Sequence, residues 1–320
     1  MTPTVVVVGG AARDITADDP RGWRLGGGVS YTALLTARLG IATGAIVGVD
    51  ETTKDASELD LLRDAGVDVH LVHLRQGPVF ENIERPEGRL QISGGRSDPV
   101  PPTSIPADWL EAPGWLLVPV AGELPDAWAS APPSDAIVAV GWQGLLRELP
   151  VDAPVILVRP RKTPIIERAD IVGISRGDVD PATPIAELAS DLRRGASLVL
   201  TQGDRGGVLI ETGRAGTPRL RHYPAVRSHR IVDPTGAGDV FLAALAAARI
   251  EPRLVGGRIA AGFDLLLAAA AASLVIEDVG LTGVPDRDEV RRRIGEVLRT
   301  KRSLSAPAPA PAPAPDPSSP

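Results

Sequence analysis

The chain alternates short apolar runs with segments of helical periodicity. Residues 4–8 (TVVVV) predict a buried strand, because β-branched side chains are stiff at χ1 and fit a pleated environment. Residues 29–39 carry apolar positions at helical spacing and stop at Gly40, a favourable residue just past a helix end. Residues 42–49 predict the next strand and 58–65 the next helix, again closed by a glycine. Further strands are predicted at 115–118, 136–140, 155–158, 171–174, 198–201 and 207–211. Further helices are predicted at 183–194, 238–248, 258–274 and 286–301. Strand, helix and strand repeating in this way imply an α/β fold with a mainly parallel sheet and helices on both faces.

Two stretches interrupt the rhythm. Residues 13–24 are polar, and residues 70–93 read as hairpins: HLVHL, Gly77-Pro78, VFENIE, Pro86-Glu87-Gly88, then RLQIS. Short antiparallel strands inserted in a parallel chain predict a small β lid, roughly residues 13–25 and 70–95. The end of the chain, 305–320, alternates alanine with proline. Every second N–H is missing there, so an extended, disordered tail is expected after one domain of residues 1–304.

Composition narrows the function. Hydrophobic residues make up 43% of the 320, enough to bury a core. The net charge of −6 shows no basic footprint for nucleic acid. There is no cysteine, which excludes a disulfide scaffold, thiolate zinc sites and a cysteine nucleophile. The longest apolar run, 265–276, is too short to cross a bilayer, and the N-terminus has no basic n-region. These features are read as a cytoplasmic protein with no membrane partner.

The stretch that carries chemistry is 233–241, DPTGAGDVF. Gly236, Ala237 and Gly238 precede a long apolar helix, and their small side chains leave the helix-start N–H groups open to an anion. Asp239 falls in the first turn, where the helix dipole is expected to lower its pKa. An acid beside an anion cradle makes chemical sense when a hydroxyl lies between them. The carboxylate then takes the hydroxyl proton while the cradle holds a transferring phosphoryl group.

DPTGAGD closely resembles the C-terminal signature of the ribokinase-like (pfkB-type) carbohydrate and nucleoside kinases. The resemblance extends over most of residues 4–298. It includes Gly9 followed five residues later by Asp14, Gly26-Gly27 ahead of TARLG at 36–40, and Thr201, Gly203 and Gly206 in LTQGDRGG. It implies a three-layer sandwich with a mainly parallel central sheet and a small β lid. It also implies Asp239 as catalytic base, with the Gly236, Ala237 and Gly238 amides as anion hole. Asp14, Gly26, Gly27 and Tyr31 would face the acceptor, and Thr201, Gly203, Gly206 and Thr235 the nucleotide. The implied cofactors are ATP and Mg2+. The implied partner is a small sugar, polyol or nucleoside, with a homodimer paired through the lid. Taken singly, each of these glycines is an ordinary turn residue.

The chain departs from the family at several positions. Tyr31 stands where many members carry an asparagine for sugar contact. The metal-linked Asn-x-x-Glu is replaced by Ser175 and Asp178, so Asp178 is expected to order a metal-bound water. WQGLLR at 142–147 is similar to a Gln-Gly-x-x-Arg segment in a divergent branch that includes inositol-type kinases, although the acid expected near Gly141 is missing. These departures motivate an alternative, a non-catalytic ligand-binding or regulatory protein on the same fold. A P-loop kinase is disfavoured because there is no Walker A motif. A dinucleotide-dependent oxidoreductase rests on the α/β pattern alone, since Gly9-Gly10 lacks the Gly-x-Gly-x-x-Gly spacing.

Overall fold

The structure, a computed structural model, describes residues 2–85, 88–213 and 218–305. The Pro86-Glu87 turn and the predicted tail beyond residue 305 lie outside the described residues. The chain opens with β1 (Val5–Gly10), β2 (Ala12–Ile15), β3 (Trp23–Gly26), α1 (Gly28–Arg38), β4 (Thr43–Val49), α2 (Glu58–Asp64) and β5 (Asp68–His73). It continues through β6 (Val79–Arg85), β7 (Gly88–Gly94), β8 (Gly114–Leu117), β9 (Ile137–Gly141), β10 (Arg147–Glu148), β11 (Val151–Pro154) and β12 (Ile156–Leu157). Then come α3 (Pro164–Arg168), β13 (Ile171–Ser175), α4 (Ile185–Ser190), β14 (Ser197–Thr201), β15 (Gly207–Thr212) and β16 (Pro218–Tyr223). The last elements are α5 (Ala237–Ile250), α6 (Phe263–Val275) and α7 (Arg287–Ser305).

Nine strands form one sheet in the order β16-β15-β14-β13-β9-β8-β1-β4-β5. Pairing is parallel from β5 through β14, and β15 and β16 close the far edge as an antiparallel hairpin. Side chains alternate across the central strand, which lets both faces be apolar. Val5 and Val7 join the layer that contains α1, α5 and α6, while Val6 and Val8 join Trp109, Trp115, Trp128 and the α3 isoleucines on the other face. The helices of the first layer are rich in alanine, so their backbones pack closely against the sheet and each other.

A second sheet of five strands, β11-β7-β6-β2-β3, stands apart from the first. β2 follows β1 after a single residue, so the chain passes directly from the large sheet into the small one. Its underside, Ala12 and Phe80, packs on Val120, Ala121 and Leu149. The third layer of pairing is minor, a two-stranded β10–β12 ladder.

Four expectations are corrected. HLVHL at 70–74 is not a lid hairpin: β5 pairs parallel with β4 at the edge of the large sheet, reached through α2. The strand expected at 155–158 is broken up: the Val155 N–H donates to Gln91 O of the small sheet just past β11, and only Ile156 and Leu157, both exposed, form β12. Ahead of it, Asp152 at φ 52° and a register shift between Val151 and Ala153 make β11 itself irregular. The helix expected over 183–194 shrinks to α4, because Pro184 caps its start and the chain turns after Ser190. The helix expected from 258 begins at Phe263, because Gly262 adopts φ 79°.

Candidate active site

The strand order reverses between β1 and β8. One arm of the sheet runs from β1 to β4 and β5, the other from β8 through β9 to β14. Open α/β sheets hold ligands at such a switch point, outside the carboxyl ends of the strands. Three elements meet there. A Cβ added to Gly28, at the start of α1, would stand 2.9 Å from Asp239 Oδ1 and 3.0 Å from Val118 Cβ, just past β8.

The three small residues expected to form an anion cradle stand at the N-terminus of α5. Gly236 caps the helix at φ 81°, a backbone state that strains any residue with a Cβ. A Cβ there would also run into the ring of Tyr31, which is buried. Gly238 differs: it is helical, and a Cβ would meet nothing within 4 Å. The N–H groups at this end lack intrahelical acceptors by geometry, and Ala237 has only a long 3.5 Å bond to the Pro234 carbonyl. The loop ahead is braced by Asp233, whose carboxylate accepts from Thr235 N at 2.9 Å and from Gly280 N at 3.2 Å.

Asp239 retains some surface accessibility, yet protein surrounds its carboxylate. Desolvation, with the negative charge of Asp178 nearby, pushes its pKa up to about 7. Arg147 opposes this by favouring the charged form. The expectation of a lowered pKa is therefore corrected: burial and a like charge outweigh the helix dipole. Asp178 in turn accepts from Gln143 Nε2 and Arg147 Nη2, each at 2.8 Å. The two donors both come from WQGLLR, so this segment and Asp178 form one polar unit beside Asp239. Burial depresses the Arg147 pKa while Asp178 and Asp239 sustain its charge.

Asp14 and Gly26 pack together on the β2–β3 hairpin, where a Cβ at Gly26 would strike the Asp14 carboxylate. Gly27 takes φ 88°, and its backbone closes against Gly10 O and Ala12 N. Tyr31 lies among Asp14, Asp233 and Asp239. Burial first, then these three charges, hold its phenol well above its ordinary pKa. Asp14, Gly26, Gly27, Tyr31 and Asp239 thus gather at one place. Thr201, Gly203 and Gly206 sit farther along the same edge of the sheet. Thr201 is in register with Ser175, and Gly206 at φ 80° packs against the Tyr223 carbonyl. Tyr223 stacks on Phe241 at 5.1 Å, which ties this hairpin to the cradle helix.

The fit to a metal is poor. One Asp178 oxygen is already occupied by two donors, and no group of three metal-ligating side chains occurs among the described residues. These residues do not build a magnesium site of their own. His70 and His73 lie on β5, away from the crevice, and His229 faces Glu296. On the small sheet, Asn82 accepts from Gln91, and Phe80 is buried 5.9 Å from the Arg147 guanidinium.

Three residues here carry roles that the motifs did not assign. Asp233 braces the cradle loop. Arg147, known only as part of a segment resemblance, is the cation beside Asp239. Glu123, fully buried, accepts from the amides of Gly10, Val120 and Ala121 and ties β1 to the segment after β8. The available signal for Glu123 was a lone acid in the apolar stretch VPVAGEL.

Residues 169–287 match the model of the pfkB family carbohydrate kinases. The chain is 30% identical over 288 residues to the bifunctional protein HldE of Azotobacter vinelandii, covering 84% of this chain and 55% of that protein. It is 28% identical over 137 residues to a nucleoside kinase of Methanocaldococcus jannaschii, covering 41% of this chain and 40% of that one. The matches thus span less than two thirds of these relatives' own length. Among solved structures, a pyrophosphate-dependent kinase in the ribokinase family, complexed with a pyrophosphate analogue and myo-inositol, superposes with a TM-score of 0.68 at 19% identity. That match covers 90% of this chain and 99% of the other. Arabidopsis thaliana ribokinase, complexed with ribose and ATP, gives a TM-score of 0.62 at 19% identity, over 92% and 99% of the two chains. The chain has the same fold as these ribokinase-family structures, and its residues 169–287 match the model of the pfkB family carbohydrate kinases.

Proposed function

We propose that the protein transfers the γ-phosphoryl group of Mg-ATP to a hydroxyl of a small sugar, polyol or nucleoside. The observation that carries this reading is Asp239, a carboxylate with a pKa near 7 in the first turn of α5 beside an open glycine cradle. A base poised near neutrality accepts a proton readily in the transition state and is ionised in the resting enzyme above that pH. The acceptor oxygen forms a bond to the γ-phosphorus as the bond from that phosphorus to the bridging oxygen breaks. ADP leaves, and the hydroxyl proton passes to Asp239. The amides of Gly236, Ala237 and Gly238 hold the equatorial oxygens, and Arg147 offsets charge between Asp178 and Asp239.

Asp14, with Gly26, Gly27 and Tyr31, faces the acceptor, since a carboxylate can accept two hydroxyl hydrogen bonds from a polyol. Thr201, Gly203, Gly206 and Thr235 line the donor. Any magnesium would be held by the donor phosphates and water, which suits its preference for those oxygens, because the described residues build no site for it. The five-stranded sheet acts as the lid and excludes water from the reacting groups.

The test is acceptor-dependent ADP release over sugars, inositols and nucleosides, with Asp239→Asn alongside. A parallel arm uses pyrophosphate as donor, as in the solved neighbour, and reads orthophosphate. Release that needs one acceptor and falls about 1000-fold in Asp239→Asn supports the reading. Donor binding with no transfer to any acceptor favours the ligand-binding alternative.

A further inference from the structure

Three consecutive arginines on α7 do not behave alike. Arg291 and Arg292 pair at the surface with Asp288 and Glu289, one turn earlier on the same helix. Arg293 turns inward and is 4% exposed. Its Nη2 donates to both Glu277 oxygens, at 2.8 Å and 3.0 Å. Its Nη1 donates to Ser273 Oγ at 2.8 Å and to the Arg227 carbonyl at 3.2 Å, and its Nε stands 3.3 Å from Glu296 Oε2. A buried charge is tolerated when it is paired and hydrogen-bonded, and here every guanidinium nitrogen has an acceptor.

The Arg293–Glu277 pair holds the segment that leads into DPTGAGD. The Glu277 carboxylate also accepts from His229 N, and its carbonyl accepts from Arg230 Nε at 2.7 Å. The Ile276 carbonyl beside it accepts from Val232 N at 2.8 Å and Asp233 N at 3.3 Å. None of residues 227–232 is buried, and Ile231 and Val232 are 72% and 47% exposed. Apolar packing therefore does not fix this segment; polar contacts to residues 273–277 do. Asp233, the brace of the next loop, follows directly, and Gly236 and Asp239 come within six residues of it. A displacement of 227–232 is passed to the start of α5 by chain connectivity. A second buried ion pair, Arg249 with Asp264 at 3.2 Å, joins α5 to α6 at the opposite end of α5.

We propose that Arg293 is a positioning residue, which through Glu277 sets where Gly236 to Asp239 stand at the switch-point crevice. Its own contacts, Ser273, Arg227, Glu277 and Glu296, include no residue assigned to donor or acceptor. The inference rests on the kinase reading for its effect on turnover, but the placement of the segment can be read without turnover. Arg293→Met is compared with Arg249→Met, which breaks a similar ion pair at the far end of α5. Glu277→Gln is a milder variant that keeps one accepting oxygen and loses the charge. Steady-state kinetics uses Mg-ATP with ribose, myo-inositol and adenosine, and urea unfolding ranks stability. Amide hydrogen exchange, read by mass spectrometry on the full chain without ligand, follows residues 227–239.

Arg293→Met is expected to lose about 100-fold in kcat with little change in acceptor KM, the cost of displacing a catalytic group by about 1 Å. Glu277→Gln should lose less in the same direction. Arg249→Met should be destabilised yet keep the native kcat. Exchange at 227–239 should quicken in Arg293→Met and stay native in Arg249→Met. Equal losses of kcat in the two arginine variants, or a native kcat in Arg293→Met with lowered urea stability, would make Arg293 purely structural and overturn the proposal. If the native protein transfers to no acceptor, the kinase reading fails and exchange alone judges the clamp. A rise confined to 227–239 then sustains it, and no rise, or one spread over the whole chain, overturns it. Should Arg293→Met fail to fold, Glu277→Gln takes its place in each comparison.

Discussion

Two glycines in the same cradle should respond to alanine in opposite ways. At Gly238 the backbone is helical and the added methyl meets nothing within 4 Å. Alanine removes conformational freedom from the unfolded chain and should stabilise the fold by up to about 1 kcal/mol. The methyl nevertheless enters the space in front of the amides that would hold phosphate oxygens. Blocking a preorganised oxyanion donor typically costs about 100–1000-fold in turnover, so Gly238→Ala should be at least as stable as the native protein and about 100-fold less active.

At Gly236 the added methyl meets a backbone at φ 81° and the buried ring of Tyr31. A left-handed conformation costs about 1–2 kcal/mol for a residue with a Cβ, and forcing a methyl into a packed ring about 1–3 kcal/mol more. Gly236→Ala should therefore lose about 2–5 kcal/mol of stability. Denaturant unfolding and steady-state kinetics, run together on both variants, separate the two effects. A Gly238→Ala protein with native kinetics would refute the cradle. A Gly236→Ala protein with native stability would refute the cap geometry and its packing on Tyr31.

Acid should inactivate the enzyme near neutrality. A base at Asp239, as proposed, works only when ionised, so with its raised pKa activity should be lost as pH falls through about 7. A log kcat/KM profile should drop with unit slope below that value. Arg147→Met removes the charge that lowers the Asp239 pKa, so the acid limb should move to higher pH; a limb that stays in place separates the two residues. Glu123→Gln replaces one accepting oxygen with a donor that faces backbone N–H groups, which should cost about 1–3 kcal/mol in urea unfolding. Val151 is 68% exposed on edge strand β11 of the small sheet. If subunits pair through that edge, sedimentation should show a dimer that Val151→Lys converts to monomer, whereas an unchanged dimer would place the contact elsewhere.

Elements with local causes were legible in the residues. β1, α1, β4 and α5 follow their predicted spans closely, because β-branched runs, helical spacing and glycine stops act within a few residues. Segments 70–74 and 155–158 had equally apolar patterns, yet their places depend on which distant strand pairs with them. Strand pairing is long-range, and a local pattern is the same for either partner. The helix over 258–274 was overextended for a related reason: the left-handed turn at Gly262 is set by packing around it.

The site divides along the same line. Gly236, Gly238 and Asp239 are joined by chain connectivity, so their spacing alone determines a helix N-terminus with an acid in its first turn. What that acid does was decided by the fold. The local dipole argues for a lowered pKa, but burial and Asp178 raise it to about 7. Gln143 and Arg147 follow β9 while Asp178 follows β13, and Asp14 and Tyr31 arrive from the opposite arm of the sheet. The sequence by itself determines the α/β order and the glycine-rich helix start with its acid, because both arise from short-range stereochemistry. The switch-point crevice and the charge around Asp239 exist only after folding, because electrostatics and desolvation depend on distance in space rather than along the chain.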